Sequence, residues 1–128
     1  VTQANRFLLV IGVILAASLV AFYFVSRQIR YAMVQRPYVA SVKLELRRVV
    51  AAQERYRQDS LKYATDVTKV WTPTTATVGV RLRIVVASAD GFRAEGRHDS
   101  WSGYCVVAVG RSAGDSLPPG EPVCHGGR

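Results

Sequence analysis

Two cysteines, Cys105 and Cys124, and two histidines, His98 and His125, are the side chains of this 128-residue chain best suited to chemistry. The cysteine spacing matches no zinc pattern, and no metal site is expected. His98, Asp99 and Ser100 have the residue types of a nucleophilic triad. They are consecutive, and adjacent residues in a turn do not converge on one reacting atom, so a polar turn is the preferred reading. Asp59, Asp66 and Glu54 lack calcium-loop spacing. There is no glycine-rich phosphate loop, and Gly126-Gly127 stands at the tail. No catalytic residue, metal or cofactor is assigned, and the chain is not expected to be an enzyme. An even cysteine count outside the cytoplasm reads instead as one disulfide, Cys105 to Cys124. It would close a loop of about 20 residues and stabilise by about 3 kcal/mol in the chain-entropy picture. Two free buried thiols are the competing reading.

The elements that would carry these residues begin with Phe7–Val25, FLLVIGVILAASLVAFYFV, which has no charge and no proline. Its 19 residues span about 28 Å as a helix, against about 30 Å for a bilayer core. A lone segment in hydrocarbon must satisfy its own backbone hydrogen bonds, so a helix is expected. Tyr23 sits where an interfacial aromatic belongs. Gly12, Ala16, Ala17 and Ser18 are small enough to let another helix approach closely. A plain membrane anchor and a segment that later packs into a filament core are both open at this point. Arg27, Arg30 and Arg36 follow the segment and only Arg6 precedes it. That bias alone would keep the C-terminal part in the cytoplasm. The disulfide reading places it outside, and outside is preferred.

Beyond the segment, PYVASVKLELRRVVAAQERYRQ is amphipathic. Val39, Val42, Leu46, Val49, Val50, Gln53 and Tyr56 recur at helical steps, with Lys43, Glu45, Arg47, Arg48, Glu54, Arg55 and Arg57 on the other face. A helix from about Tyr38 to Asp59 is expected. Pro37 should kink or locally melt the join over Val34–Pro37. From Asp66 the pattern changes. TPTTATVG reads as loop. Val80, Leu82, Ile84 and Val86 alternate against Arg81, Arg83 and Val85, a half-buried strand. Asp90-Gly91 signals a hairpin. Phe92, Ala94 and Gly96 then alternate with Arg93, Glu95 and Arg97, and GYCVVAVG is a short apolar strand. The expected fold is α+β: a long N-terminal helix on an antiparallel sheet of three to four strands. Strands are placed at Val78–Ala87, Phe92–His98 and Gly103–Val109, with a loop over RSAGDSLPPGEP. The expected division is a hydrophobic helix over residues 1–36 and a small head over 37–128.

The net charge is +8. The basic residues are scattered from Arg27 to Arg128 without a block, so a solvated positive surface is preferred over a nucleic-acid site. Arg81, Arg83, Arg93 and Arg97 would leave one sheet face and form the candidate stripe for DNA, anionic lipid or an acidic surface polymer.

The order of these features resembles type IV pilins and the related pseudopilins. The similarity lies in YVASVKLELRRVVAAQERYRQDSLKYATDV, with Ala52, Gln53, Glu54 and Tyr56 followed by Tyr63, Ala64 and Thr65. GVRLRIVVASADGFRAEGRH, SGYCVVAVG and the late cysteine pair are similar too. The resemblance covers about Phe7 to Cys124. It implies a self-assembling filament subunit or a secretion pseudopilin, held in the inner membrane as a precursor and exported by a pilus assembly machinery; a short basic leader ending in Gly before Val1 would settle the class. Ile14-Leu15-Ala16-Ala17 looks like the family's Ile-Leu-Ala-Ala and places the processed end near Val1. Asn5 then occupies or adjoins the site of the family's glutamate, whose carboxylate is thought to pair with a neighbour's terminal amine. Matching on Tyr38-Val39-Ala40-Ser41 instead would place the end at Phe7 and Ile11 at the glutamate's site; the first match is preferred. Asn5 brings no charge, so that pairing cannot operate in the usual form. Gln28 and Pro37 are the nearest counterparts of the family's helix-breaking proline.

Overall fold

The computed structural model of the chain describes residues 2–111 and 116–127. Its internal contacts define two compact units, Val1–Val34 and Gln35–Arg128. One helix, α1 at Gln3–Ser60, accounts for the first and opens the second. In the first unit every residue from Thr2 to Val25 is exposed. Its hydroxyls stay within the helix: Ser18 donates to the Ile14 carbonyl at 2.8 Å and Ser26 to the Tyr23 carbonyl at 3.0 Å. Those internal bonds leave the hydroxyls no unmet demand for water.

Residues 34–37 remain helical, in place of the locally melted stretch expected there. Pro37 removes one backbone donor. Propagation from both sides fixes the remaining residues at one hydrogen bond each, so a single missing bond need not end a long helix. Ser41 donates its hydroxyl to the Pro37 carbonyl at 2.8 Å. At its far end α1 stops in a left-handed residue, Leu61, with φ 59°. The Leu61 amide donates to the Arg57 carbonyl at 2.8 Å. This satisfies an end carbonyl through a cap usually built with glycine.

The second unit is α+β, with the later half of α1 packed on a four-stranded antiparallel sheet. The strands are β1 (Val80–Ala87), β2 (Gly91–His98), β3 (Trp101–Gly110) and β4 (Val123–His125), in the order β1-β2-β3-β4. A single-turn 3₁₀ helix, Val67–Lys69, lies in the connection from α1 and was not expected; Asp66 caps it by accepting from the Thr68 amide at 2.9 Å. Val42, Leu46 and Val49 of α1 meet Phe92, Ala94, Cys105 and Val107 of the sheet in one buried cluster. Gly96 permits that approach, because a Cβ there would stand 2.7 Å from both Val42 and Leu82 side chains. Gly110 is fixed by its surroundings as well: its φ is +68° and an added Cβ would strike the Asp90 carbonyl.

Strict alternation along β1 fails at one point. The register runs Ile84↔Ala94 and then Val86↔Arg93, leaving Val85 as a bulge. The extra residue turns Val86 to the outer face, 48% exposed, rather than inward as its spacing suggests. A disulfide joins Cys105 to Cys124, and the two are direct register partners of β3 and β4. The loop before β4 was expected over residues 111–122, and residues 112–115 of it lie outside the described residues.

A three-residue strand carries few ladder bonds, so the covalent link should dominate the hold on β4. The double variant Cys105→Ser/Cys124→Ser is expected to lose about 2–4 kcal/mol, read as a lower urea midpoint for the detergent-solubilised full chain. An unchanged midpoint would show that β4 is held by its noncovalent contacts.

Candidate functional site

Three features could act on a partner or hold the surfaces that do: the uncovered apolar helix, a pair of buried polar residues in the head, and the charged outer face of the sheet. Along the first, Phe7 is 68% and Phe22 73% exposed, and the run between them is uncharged. An added Cβ at Gly12 would meet nothing within 4 Å, so this small-residue position is open. Ala16 is one turn on and shares its face; Ala17 lies about 100° round the helix. Asn5 bonds through its amide to the Thr2 carbonyl at 3.0 Å, and the first turn carries no acidic residue. Val1, singled out as the processed end, lies outside the described residues.

The buried pair ties the long α1–β1 connection to the helix. Gln53 is fully buried, donates Nε2–H to the Ala64 carbonyl at 2.9 Å, and accepts the Ala64 amide at 2.7 Å. One side-chain amide thus satisfies both backbone groups of a buried residue. Tyr63 stacks on Phe92 at 5.1 Å between centroids and donates its hydroxyl to Glu54 at 3.4 Å. Burial, with Glu54 close by, pushes the Tyr63 phenol up. Four of the residues that carry the sequence resemblance therefore pair across the turn, Gln53 with Ala64 and Glu54 with Tyr63.

The helical periodicity places Glu45 on the solvent face, but in the structure it is only 1% exposed. Its Oε1 accepts the Thr77 hydroxyl at 2.7 Å, the Thr77 amide at 3.1 Å and an Arg48 guanidinium N–H at 2.9 Å. Oε2 accepts the Trp71 indole N–H at 3.0 Å. Burial pushes the carboxyl up, but the Thr77 and Trp71 donors, with Arg48, outweigh it and hold Glu45 below its ordinary value. Nothing in the helical periodicity marks this residue, because its neutral donors, Trp71 and Thr77, lie 26 and 32 positions away. The available signal was compositional: Trp71 and Thr77 in a loop need polar partners if they are covered.

The register places Arg81, Arg83, Arg93 and Arg97 on one face, as the alternation implied. It also places their counter-charges there. Glu95 holds Arg83 at 3.0 Å and Arg97 at 2.8 Å, and Asp99 holds Arg81 at 2.8 Å. Burial raises Glu95, yet the two guanidiniums prevail and keep it low. Of the four arginines only Arg93 has no ion pair among the described residues, and it sits beside the exposed Val85 and Val86. The stripe is a salt-linked network rather than a bare cationic surface. At the adjoining turn, His98 Nδ1 accepts the Ser100 backbone amide at 3.0 Å and its ring lies 4.5 Å from that of Tyr38. Among the described residues no three His, Cys, Asp or Glu side chains group as a metal site. Neither protein-family models nor curated proteins give a match to this chain.

Two outcomes follow from the buried pair. Gln53→Leu leaves both Ala64 backbone groups buried and unpaired, and should lower stability by about 2–4 kcal/mol in urea titration; Gln53→Glu at low pH, where one donor returns, should recover part of it. Glu45→Gln places an NH₂ group among donors and should cost about 1–3 kcal/mol. Because the folded carboxyl titrates below its unfolded value, the wild-type advantage is full above the unfolded value of about 4.3. It shrinks as pH falls through the folded value. A gap between wild type and Glu45→Gln that stays constant from pH 7 to pH 2 would refute the carboxylate's role.

Proposed function

We propose that the chain is a structural subunit of an extracellular filament of the type IV pilus kind. Phe7–Val25 holds the precursor in the membrane and afterwards packs against the same segment of other copies. The observation that supports this reading most is the exposed, uncharged run Phe7–Val25 in the first half of α1, a helix whose later part contributes to the core of a small disulfide-linked head. Apolar side chains on that scale leave water either into lipid or into each other. Packing through a head-to-tail contact that does not close produces an open polymer. The Gln53–Ala64 clamp adds support, since it gives a physical role to two of the residues on which the pilin resemblance rests. A pseudopilin of a secretion apparatus would use the same parts. The ion-paired sheet face argues against DNA capture as the principal activity, because three of its four arginines already have carboxylate partners.

The test is co-expression with a pilus assembly machinery. Thin filaments containing the chain are expected by electron microscopy and by shear fractionation. Ile14→Lys, a charge in the middle of the apolar run, should abolish them while a detergent-solubilised head keeps its denaturation midpoint. Recovery of only monomeric membrane protein from the wild type would overturn the proposal.

A further inference from the structure

The first 44 residues contain no aspartate and no glutamate, while Arg6, Arg27, Arg30, Arg36 and Lys43 lie among them. Arg27 and Arg30 make no ion pair among the described residues, and both are exposed. They line a shallow hollow on the helix surface together with Tyr23, Ser26, Tyr31 and Val34. These six positions fall within a sector of about 140° at 3.6 residues per turn. The Arg27 guanidinium lies 5.7 Å from the centroid of the Tyr31 ring, which orients it without neutralising it.

Depth along the helix indicates what this face meets. The rise of 1.5 Å per residue places Arg27 about 3 Å and Arg30 about 8 Å beyond the last apolar residue of the run, Val25. The headgroup layer on each side of a bilayer core is about 5–8 Å thick. Both guanidiniums therefore lie at the level of lipid phosphates, flanked by two tyrosines of the type that settles at that interface. Arg36 is about 16 Å beyond Val25 and points to the opposite side of the helix. We propose that the Tyr23–Arg27–Arg30–Tyr31 face is a binding site for the headgroup of an anionic phospholipid, occupied while the chain is in the bilayer. Planar guanidiniums suit a phosphate diester, donating parallel N–H hydrogen bonds to two of its oxygens. The inference rests on the membrane-spanning role of Phe7–Val25 and adds a preferred lipid to it.

The experiment uses the full chain reconstituted in phosphatidylcholine vesicles with a minority of phosphatidylglycerol. Trace spin-labelled phosphatidylglycerol or phosphatidylcholine reports lipid held at the protein surface. The wild type should restrict phosphatidylglycerol about two- to five-fold more than phosphatidylcholine, up to the attraction expected of one surface arginine. The preference should weaken in high salt. Arg27→Gln/Arg30→Gln should remove it, and Arg36→Gln should keep it. Equal restriction of the two lipids by the wild type, or a preference unchanged in the double variant, would overturn the site while leaving the span intact. If neither lipid is restricted, the chain does not enter the bilayer, and the spanning role fails together with the site.

Discussion

Nineteen uncharged residues in succession are driven out of water by the hydrophobic effect, and that pressure bears on the rest of this molecule. Burial of apolar surface is worth about 25 cal/mol per Å², so large exposed side chains from Phe7 to Val25 represent a strong and unspecific attraction for lipid or for one another. The second half of α1 meets the same pressure in a different way. Its apolar face is narrow and is covered by the sheet, with Val42, Leu46 and Val49 fully enclosed. One helix thus carries two kinds of surface, and charge returns to it from Arg27 onward.

The head is small, and its stability depends on how it manages polar groups as much as on apolar area. Gln53 and Glu45 face inward from α1 and take up the donors and acceptors of a connection that would otherwise be loose. No buried side-chain nitrogen or oxygen is left without a partner among the described residues. Buried carboxylates are tolerated only with such a set of donors, so Trp71, Thr77 and Arg48 are conditions for Glu45 being where it is. The Arg48 side chain is 56% exposed, so its ion pair is screened and the neutral donors carry the greater share.

Most of the architecture was legible in the sequence because it is written in periodicity. The apolar run, the helical stripe from Val39 to Gln53, the alternation along β2 and along β1 as far as Ile84, and the paired cysteines occupy their expected places. What was not legible depends on contacts between distant residues. Glu45 has a charged residue's pattern and a core residue's environment, and only the fold brings its partners to it. The bulge at Val85 shifts Val86 outward without any glycine or proline to announce it. Pro37 has the opposite character: its local signal for melting is overruled by helix propagation on both sides. Alternation alone puts the four arginines of the sheet face on one side, but it does not show their neutralisation, since the pairing of Arg83 with Glu95 is a cross-strand relation that a single strand does not reveal.

The order of the strands has a kinetic meaning. Each strand pairs with its neighbour in sequence, so the sheet is a simple meander with short connections between its first three members. Loops of that kind close quickly, and folds built from local pairings form faster than those that wait for distant segments. A chain delivered across a membrane with its N-terminal helix held back in the bilayer would have α1 in place before β1 emerges. Each later strand would then find its partner already formed. The last strand, too short to hold its register alone, would be secured by oxidation only after the other three had assembled.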